Sequence, residues 1–295
     1  MKKQLSFSLR LLLLSGVAAI MSVSCIFLPP KETVETIGGE ETIIGENGQE
    51  ILTKNGLTCV WHDEFGYTGV PDTSKWKYQT GHGDPYGWGN NEQQEYTDNT
   101  TTADTASVDG QYLKIKAYNN GSGWKSARLN SKQSWKYGYI EARMKITDRK
   151  GAWPAFWMMP QNSVYGRWPA SGEIDIMENA PARCGDHRLF SSLHASGHYN
   201  ENPASIGAKT YNSNLSSEWH TVGVLWTEEK ITAYYDDVAV GSYVNDGTGY
   251  VNWPYDKEFY IILNLAIGGN LGGDEYVNSL NRQAEFLVDY VRVYQ

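Results

Sequence analysis

The chain has 295 residues, a formal net charge of −9 and a sequence pI near 5.2. The acidic balance argues against nucleic acid or a polyanionic partner and favours a neutral polymer over a sulfated one. The length allows one large domain or two small ones around a substantial core. Trp and Tyr number 11 and 20, more than a core alone asks for and suited to stacking on sugar rings.

Met1 to Ser24 reads as a secretory signal: Lys2, Lys3 and Arg10 supply the charged region and Leu11 to Met21 the apolar one. The stretch is too short for a good membrane span. Cys25 follows Ser22, Val23 and Ser24, small residues that suit lipoprotein cleavage with Cys25 as the lipidated first residue, although Ser22 stands where Leu is usual. Ordinary cleavage nearby, with Cys25 incidental, is the alternative. Residues 25–56 carry PP, GG, several Glu and a single aromatic, Phe27, so a flexible tether is expected before a domain over 57–295. A lipid anchor on such a tether implies an exported protein held at an outer-membrane or cell surface. Cys59 and Cys184 are either paired or two free thiols.

Trp61 to Phe65 opens the domain as a strand, and DTSKW at Asp72 to Trp76 reads as a capped turn. Gly81 to Asn91 is a Gly- and Asn-rich loop, long enough to suggest function, with Trp88, Asn90, Asn91 and Glu92 as candidates to line a ligand subsite. Val108 to Tyr118 alternates Leu113, Ile115 and Ala117 with Lys114 and Lys116, at an Asp109-Gly110 turn. Arg128 is either a ligand contact or a surface cation. Tyr139 to Ile146 alternates again, with Glu141 and Arg143 on one face to pair with each other or with neighbouring strands. Trp153 and Trp157 share the next strand's face with the small Ala155 between them, which leaves room above the sheet for a ligand. Trp168 is a candidate platform just before an acidic stretch.

That stretch, Trp168 to Ala180, reads WPASGEIDIMENA. Glu173 and Asp175 share one strand face; in a regular strand Glu178 would point away. One extra residue, a β-bulge, returns Glu178 to the acidic face. Three carboxylates on one face repel, which raises the pKa of at least one. A raised carboxyl beside an ionised one is what glycoside cleavage needs, and a solvated edge or a metal cluster is the bland alternative. The side chains must lean together, because a strand rises about 3.3 Å per residue and a retaining pair wants carboxyls about 5–5.5 Å apart.

Beyond it, His187, His194 and His198 lack zinc spacing. Trp219 to Trp226 and Ile231 to Val244 read as hairpin strands turned at Glu228-Glu229-Lys230 and Asp236-Asp237. Phe259 to Ile267 is nearly all apolar, hence buried on both faces, and Asn264 inside it must hydrogen-bond a neighbouring strand or a ligand. Gly268 to Gly273 allows close approach of a ligand or another backbone. Phe286 to Tyr294 closes the sheet. Many short strands, Gly and Asn turns and no long helix after the signal give an all-β antiparallel sandwich.

GEIDIMENA resembles the active-site signature of glycoside hydrolase family 16 in its bulged form. WHDEF at Trp61, GWGNNE at Gly87, GAWPAFWMMP at Gly151, LNLAIGG at Leu263 and VDYVRVYQ at Val288 match the same family, so the resemblance covers Leu57 to Gln295. It is greatest to laminarinase-like endo-β-1,3-glucanases. The resemblance implies a concanavalin A-like jelly roll with a concave cleft, and retaining endo-hydrolysis of β-1,3-glucan, mixed-linkage β-1,3/1,4-glucan or both. It assigns Glu173 as nucleophile, Glu178 as acid/base and Asp175 as their tuner; physics alone would let the two Glu exchange roles. It implies ligand contacts at Asn90, Arg128 and His194 besides Trp153, Trp157, Trp168 and Asn264. No catalytic cofactor is implied. A structural calcium on the opposite face is, held by Glu64, the Gly110 carbonyl and Asp289. Many laminarinases carry Trp in the 268–273 loop where this chain has Leu271. A monomer acting on β-glucan is expected. An agarase-like hydrolase, or a non-catalytic glucan-binding surface lipoprotein on the same sandwich, is the alternative.

Overall fold

Two sheets, antiparallel except where Glu95–Tyr96 runs parallel to Trp124–Ser126, lie face to face in the computed structural model, which describes residues 35–45, 49–98, 104–200 and 202–295. The signal and Cys25 lie outside the described residues. Among the described residues no helix is long and apolar enough to cross a membrane.

The seven-stranded sheet runs, in spatial order, Ala204–Thr210, Arg188–His194, Glu173–Asn179, Ala152–Pro160, Phe259–Ile267, Arg128–Trp135 and Trp76–Tyr78. Its central strands send alternate residues to the core: Phe156 and Met158, Ile174 and Ile176, Ile261, Leu263 and Leu265 are all fully buried there. The thirteen-stranded sheet centres on Gln283–Tyr294, which pairs with Leu57–Asp63, Gly138–Lys145 and Leu113–Asn119. It contributes Leu113, Ile115, Ile140, Val224 and Val291 to the same core. The polar partners Lys114 and Lys116 stay half-buried on its other face, as the alternation requires. At one edge the sheets approach until Gly207 and Gly241 meet. A Cβ on Gly207 would lie 2.5 Å from the Val240 carbonyl group, so only glycine fits.

The turns follow their residues. Asp72 Oδ1 accepts from Ser74 N at 2.8 Å and caps a single turn. Asp236 and Asp237 both take positive φ (51° and 62°), as a two-residue hairpin demands. The loop 81–91 holds one short 3-10 segment, Tyr86–Gly89. Phe259–Ile267 is buried on both faces. Glu141 and Arg143 pair with other strands: Glu141 with Lys54 and Arg143 with Asp289.

The expected tether over 25–56 needs correction in its second half. Glu40–Ile44 and Glu50–Lys54 form a hairpin that extends the larger sheet past Leu57–Asp63. Ile37 is buried with Tyr139, Tyr234 and Tyr294, and Thr36 bridges to Val238. Lys54 is buried with its Nζ 2.7 Å from Glu141 and 2.8 Å from Asp237. The segment is too polar to fold alone, but the domain supplies the apolar and charged partners it lacks. Cys59 and Cys184 are both free thiols.

Candidate active site

The acidic strand Glu173–Asn179 runs between Ala152–Pro160 and Arg188–His194, and it is bulged. Toward the second neighbour, Asp175 pairs with Ser192 and Glu178 with Phe190, so Ile176 and Met177 together oppose Ser191. Toward the first, Asp175 faces Trp157 and Met177 faces Phe156, which leaves Ile176 as the extra residue. Ser191 closes the gap by donating its hydroxyl to the Ile176 carbonyl at 2.6 Å. Ile176 and Met177 are both fully buried in the core, and Glu178 returns to the face that carries Glu173 and Asp175. The neighbours suit this crowding: the small Ala155 lies opposite Glu178, and His194 opposite Glu173.

Each carboxylate has its own partner. The Trp168 indole N–H donates to Glu173 Oε2 at 2.5 Å, and that of Trp153 to Glu178 Oε1 at 2.8 Å. Asp175 Oδ2 accepts from Ser192 Oγ at 2.8 Å and lies 3.1 Å from His194 Nε2. Burial pushes Glu173 well above the ordinary carboxylate value and the Asp175 charge adds to it, while the His194 charge and the Trp168 N–H act the other way. Burial and the Asp175 charge likewise push Glu178 up to about 8, against the pull of the Trp153 hydrogen bond. Burial pulls His194 down, but its bond to Asp175 and the charges of Asp175, Glu173 and Glu178 prevail and raise it to about 9. The site at neutral pH therefore holds a cationic imidazole against Asp175 and a protonated Glu178.

The other residues expected here divide into three groups. Trp168 stays 42% exposed beside this cluster, edge-on to Tyr199 at 5.8 Å and tilted on His194 at 6.0 Å. Trp153 and Trp157 lie half-buried on the same face as the acids. Arg128 is not a surface cation: only 7% exposed, its guanidinium sits between the Trp88 and Trp157 rings, 4.6 Å from each centroid. Asn264 spends its amide on protein partners, accepting from Trp157 Nε1 at 2.6 Å and donating to Tyr96 OH at 3.0 Å. Asn90 is half-buried and its carbonyl accepts from Asn270 N at 2.8 Å. The close approach at the glycine loop is thus by backbone: a Cβ on Gly269 would lie 2.6 Å from the Asn90 oxygen. Glu92 turns inward rather than lining the cleft. The sequence reading missed Ser192, whose signal was its place two residues before His194 on one strand face. It also missed Tyr96 and Tyr199, for which no local pattern exists.

Residues 90–292 match the family Glycosyl hydrolases family 16. The chain belongs to that family. It is 35% identical over 248 residues to a β-glucanase of Rhodothermus marinus, a match covering 80% of this chain and 84% of that one. It is 37% identical to glucan endo-1,3-β-glucosidase A1 of Niallia circulans, where the match covers 81% of this chain but 38% of that longer protein. Among solved structures, the Rhodothermus marinus laminarinase superposes with a TM-score of 0.73 at 34% identity, covering 80% of this chain and 96% of that one. The two curled sheets are therefore the family-16 jelly roll, and family-16 catalysis uses no cofactor.

For the calcium that the family resemblance implies, placement and charge disagree. The register sets Asp63 opposite Val291 and Leu113 opposite Val288, so Glu64, Gly110 and Asp289 fall on one flank of the thirteen-stranded sheet. Both Glu64 oxygens, however, accept from Arg292 at 2.8 Å, and Asp289 accepts from Arg143 at 2.5 Å. As arranged, neither carboxylate fits a divalent cation. Among the described residues, Glu173, Asp175 and His194 do bring ligand atoms within 4.8 Å of one another. Within that cluster His194 Nε2 lies 3.1 Å from Asp175 Oδ2.

Proposed function

We propose that this family-16 protein is a retaining endo-β-glucanase acting on β-1,3-glucan of the laminarin type, on mixed-linkage β-1,3/1,4-glucan, or on both. The observation that carries the reading is the bulged acidic face. It unites three carboxylates with a cationic His194 and a row of indoles, and it keeps Glu178 protonated at neutral pH. In the first step Glu178 gives its proton to the glycosidic oxygen as the carbon–oxygen bond breaks. A Glu173 oxygen bonds the anomeric carbon from the other side. In the second step water gives a proton to Glu178 and its hydroxyl to the anomeric carbon, which releases Glu173. Two displacements at one carbon retain its configuration. Asp175 and His194 lie between the glutamates: the imidazolium offsets the Asp175 charge and opposes the rise that burial gives Glu173. Trp168, Trp153 and Trp157 supply the sugar platforms, with Arg128, Asn90 and Asn264 supporting them.

The same reading includes export by the Met1–Ser24 signal and lipidation at Cys25, with the monomeric enzyme held at an outer-membrane or cell surface. A calcium at Glu64, Gly110 and Asp289 belongs to it only if both arginines move away. Loss of palmitate labelling in Cys25→Ser tests the anchor.

The function is tested by incubating the protein with laminarin, mixed-linkage glucan, curdlan and agarose. Early mixtures of oligosaccharides from the glucans, released with retained configuration by NMR, are expected. Products from agarose alone would overturn the substrate. Glucan binding without any products, unchanged in Glu173→Gln, would make the protein a binder.

A further inference from the structure

We infer that Glu92 is a positioning residue for the glucan platform: away from the acidic face, it anchors a hydrogen-bonded relay through Tyr96 and Asn264 that sets the orientation of the Trp157 ring. The inference rests on the glucanase reading and adds a residue to the same site.

Glu92 is 5% exposed, and its Oε2 accepts from Tyr96 OH at 3.1 Å and from Gln94 Nε2 at 2.6 Å. Gln94 is itself fixed, since its Oε1 accepts from Ile267 N at 2.7 Å. The Tyr96 oxygen accepts from Asn264 Nδ2 at 3.0 Å, and Asn264 Oδ1 accepts from Trp157 Nε1 at 2.6 Å. The polarity of this chain has one solution. The indole can only donate, so the Asn264 oxygen must face it; the amide nitrogen then faces Tyr96, whose single proton goes to the carboxylate. A group at position 92 that offered a donor to Tyr96 would turn each link around and leave the Trp157 N–H facing another donor.

The Trp157 ring is gripped a second way that involves the same carboxylate. Arg128 stands opposite Asn264 in the sheet, and its guanidinium lies between the Trp157 and Trp88 rings. Trp88 in turn packs on Tyr96 at 5.5 Å between centroids. Burial pushes the Glu92 carboxyl up, and the charge of the buried Arg128 opposes the rise. Trp157 lies opposite Asp175, so a tilt of its indole moves the floor of the cleft without touching the reacting carboxylates. The relay therefore acts on substrate binding rather than on the chemical step.

Glu92→Leu removes the acceptor and frees the Tyr96 proton to turn toward Asn264; it and Tyr96→Phe should each raise KM for laminarin about tenfold, with kcat held within about twofold. The decisive measurement is a double-mutant cycle of Glu92→Leu with Trp157→Phe. It is read both as KM and as the calorimetric Kd for a laminari-oligosaccharide in a Glu173→Gln background. Trp157→Phe keeps a ring but removes the N–H, so Glu92→Leu should add less than about twofold to it. Tyr96→Phe cuts the relay while leaving Glu92 and Arg128 in place, and serves if Glu92→Leu does not fold. Additive losses, a fall in kcat at unchanged KM, or an unchanged KM in a folded Tyr96→Phe protein would overturn the inference while leaving a working glucanase. No turnover and no glucan binding by the unsubstituted protein would overturn the glucanase reading itself, and the role of the relay with it.

Discussion

Replacing Glu178 with Gln should abolish turnover and make the protein more stable at neutral pH. Glu178 is buried beside Asp175, and its carboxyl is raised to about 8 from the ordinary 4.5. The sign follows from proton binding. Between those two values the unfolded chain releases this proton and the folded chain keeps it, so stability falls as pH rises from 4.5 and levels off above 8. Each pH unit in that window costs about 1.4 kcal/mol, which amounts to about 3 kcal/mol at pH 7. Gln keeps the shape and still accepts the Trp153 N–H, but it cannot ionise in the unfolded chain. For a domain of this size the gain corresponds to a rise in Tm of roughly 5–10 °C. Calorimetric melts of the two proteins at pH 4 and pH 7 measure it. The gain should be nearly absent at pH 4, where both states of the parent hold the proton. A Glu178→Gln protein no more stable than its parent at pH 7, or equally stabilised at both pH values, would refute the assignment of a strained, protonated acid at this position.

The thirteen-stranded sheet and the cleft yield further predictions. Lys54→Met strands Glu141 as a buried carboxylate without its cation and should cost about 3–5 kcal/mol in denaturant unfolding, whereas adding Glu141→Leu should restore most of it. A flexible 25–56 segment predicts no loss in Lys54→Met. Trp153→Phe removes a hydrogen bond that favours the ionised form of Glu178, so the alkaline limb of kcat/KM should move up by about one pH unit. A limb that stays put separates Trp153 from the acid. Millimolar calcium should leave Tm unchanged against EDTA as long as Glu64 and Asp289 keep their arginines, while the double substitution Arg143→Ala with Arg292→Ala should create a calcium-dependent rise.

The acidic strand was legible because its periodicity breaks in view. Ile176 and Met177 are adjacent apolar residues between carboxylates, and two apolar neighbours inside a period of two call for a bulge. Trp168, Trp153 and Trp157 followed from the same alternation. Arg128 was not legible: Trp88 and Trp157 are far from it in sequence, and only the fold closes them on its guanidinium. Glu92 read as a cleft residue because its Asn- and Gly-rich neighbours are loop-like, yet Tyr96 and Gln94 turn it inward. The hairpin over Glu40–Ile44 and Glu50–Lys54 was hidden for a related reason. Composition asks whether a segment can bury itself, whereas Lys54 is buried by Glu141 and Asp237, which arrive on distant strands. Local period survives in one sequence, but long-range charge pairing does not.

The bulge also explains how a strand can carry this much repulsion. A regular strand would alternate acid and apolar residues evenly, with one core contact for each outward charge. The extra Ile176 gives the acidic strand three inward anchors, Ile174, Ile176 and Met177, all fully buried. Full burial of such side chains contributes about 1.5–3 kcal/mol each, so the added anchor alone is comparable to the cost of holding Glu178 protonated at pH 7. Ser191 fastens the displaced Ile176 carbonyl on one side, and Trp157 meets Asp175 on the other. One inserted residue thus re-aims the acid and offsets the strain of keeping it there. Re-aiming without the inward anchor, by a polar residue at position 176, would leave the carboxylate face without the burial that holds it in register.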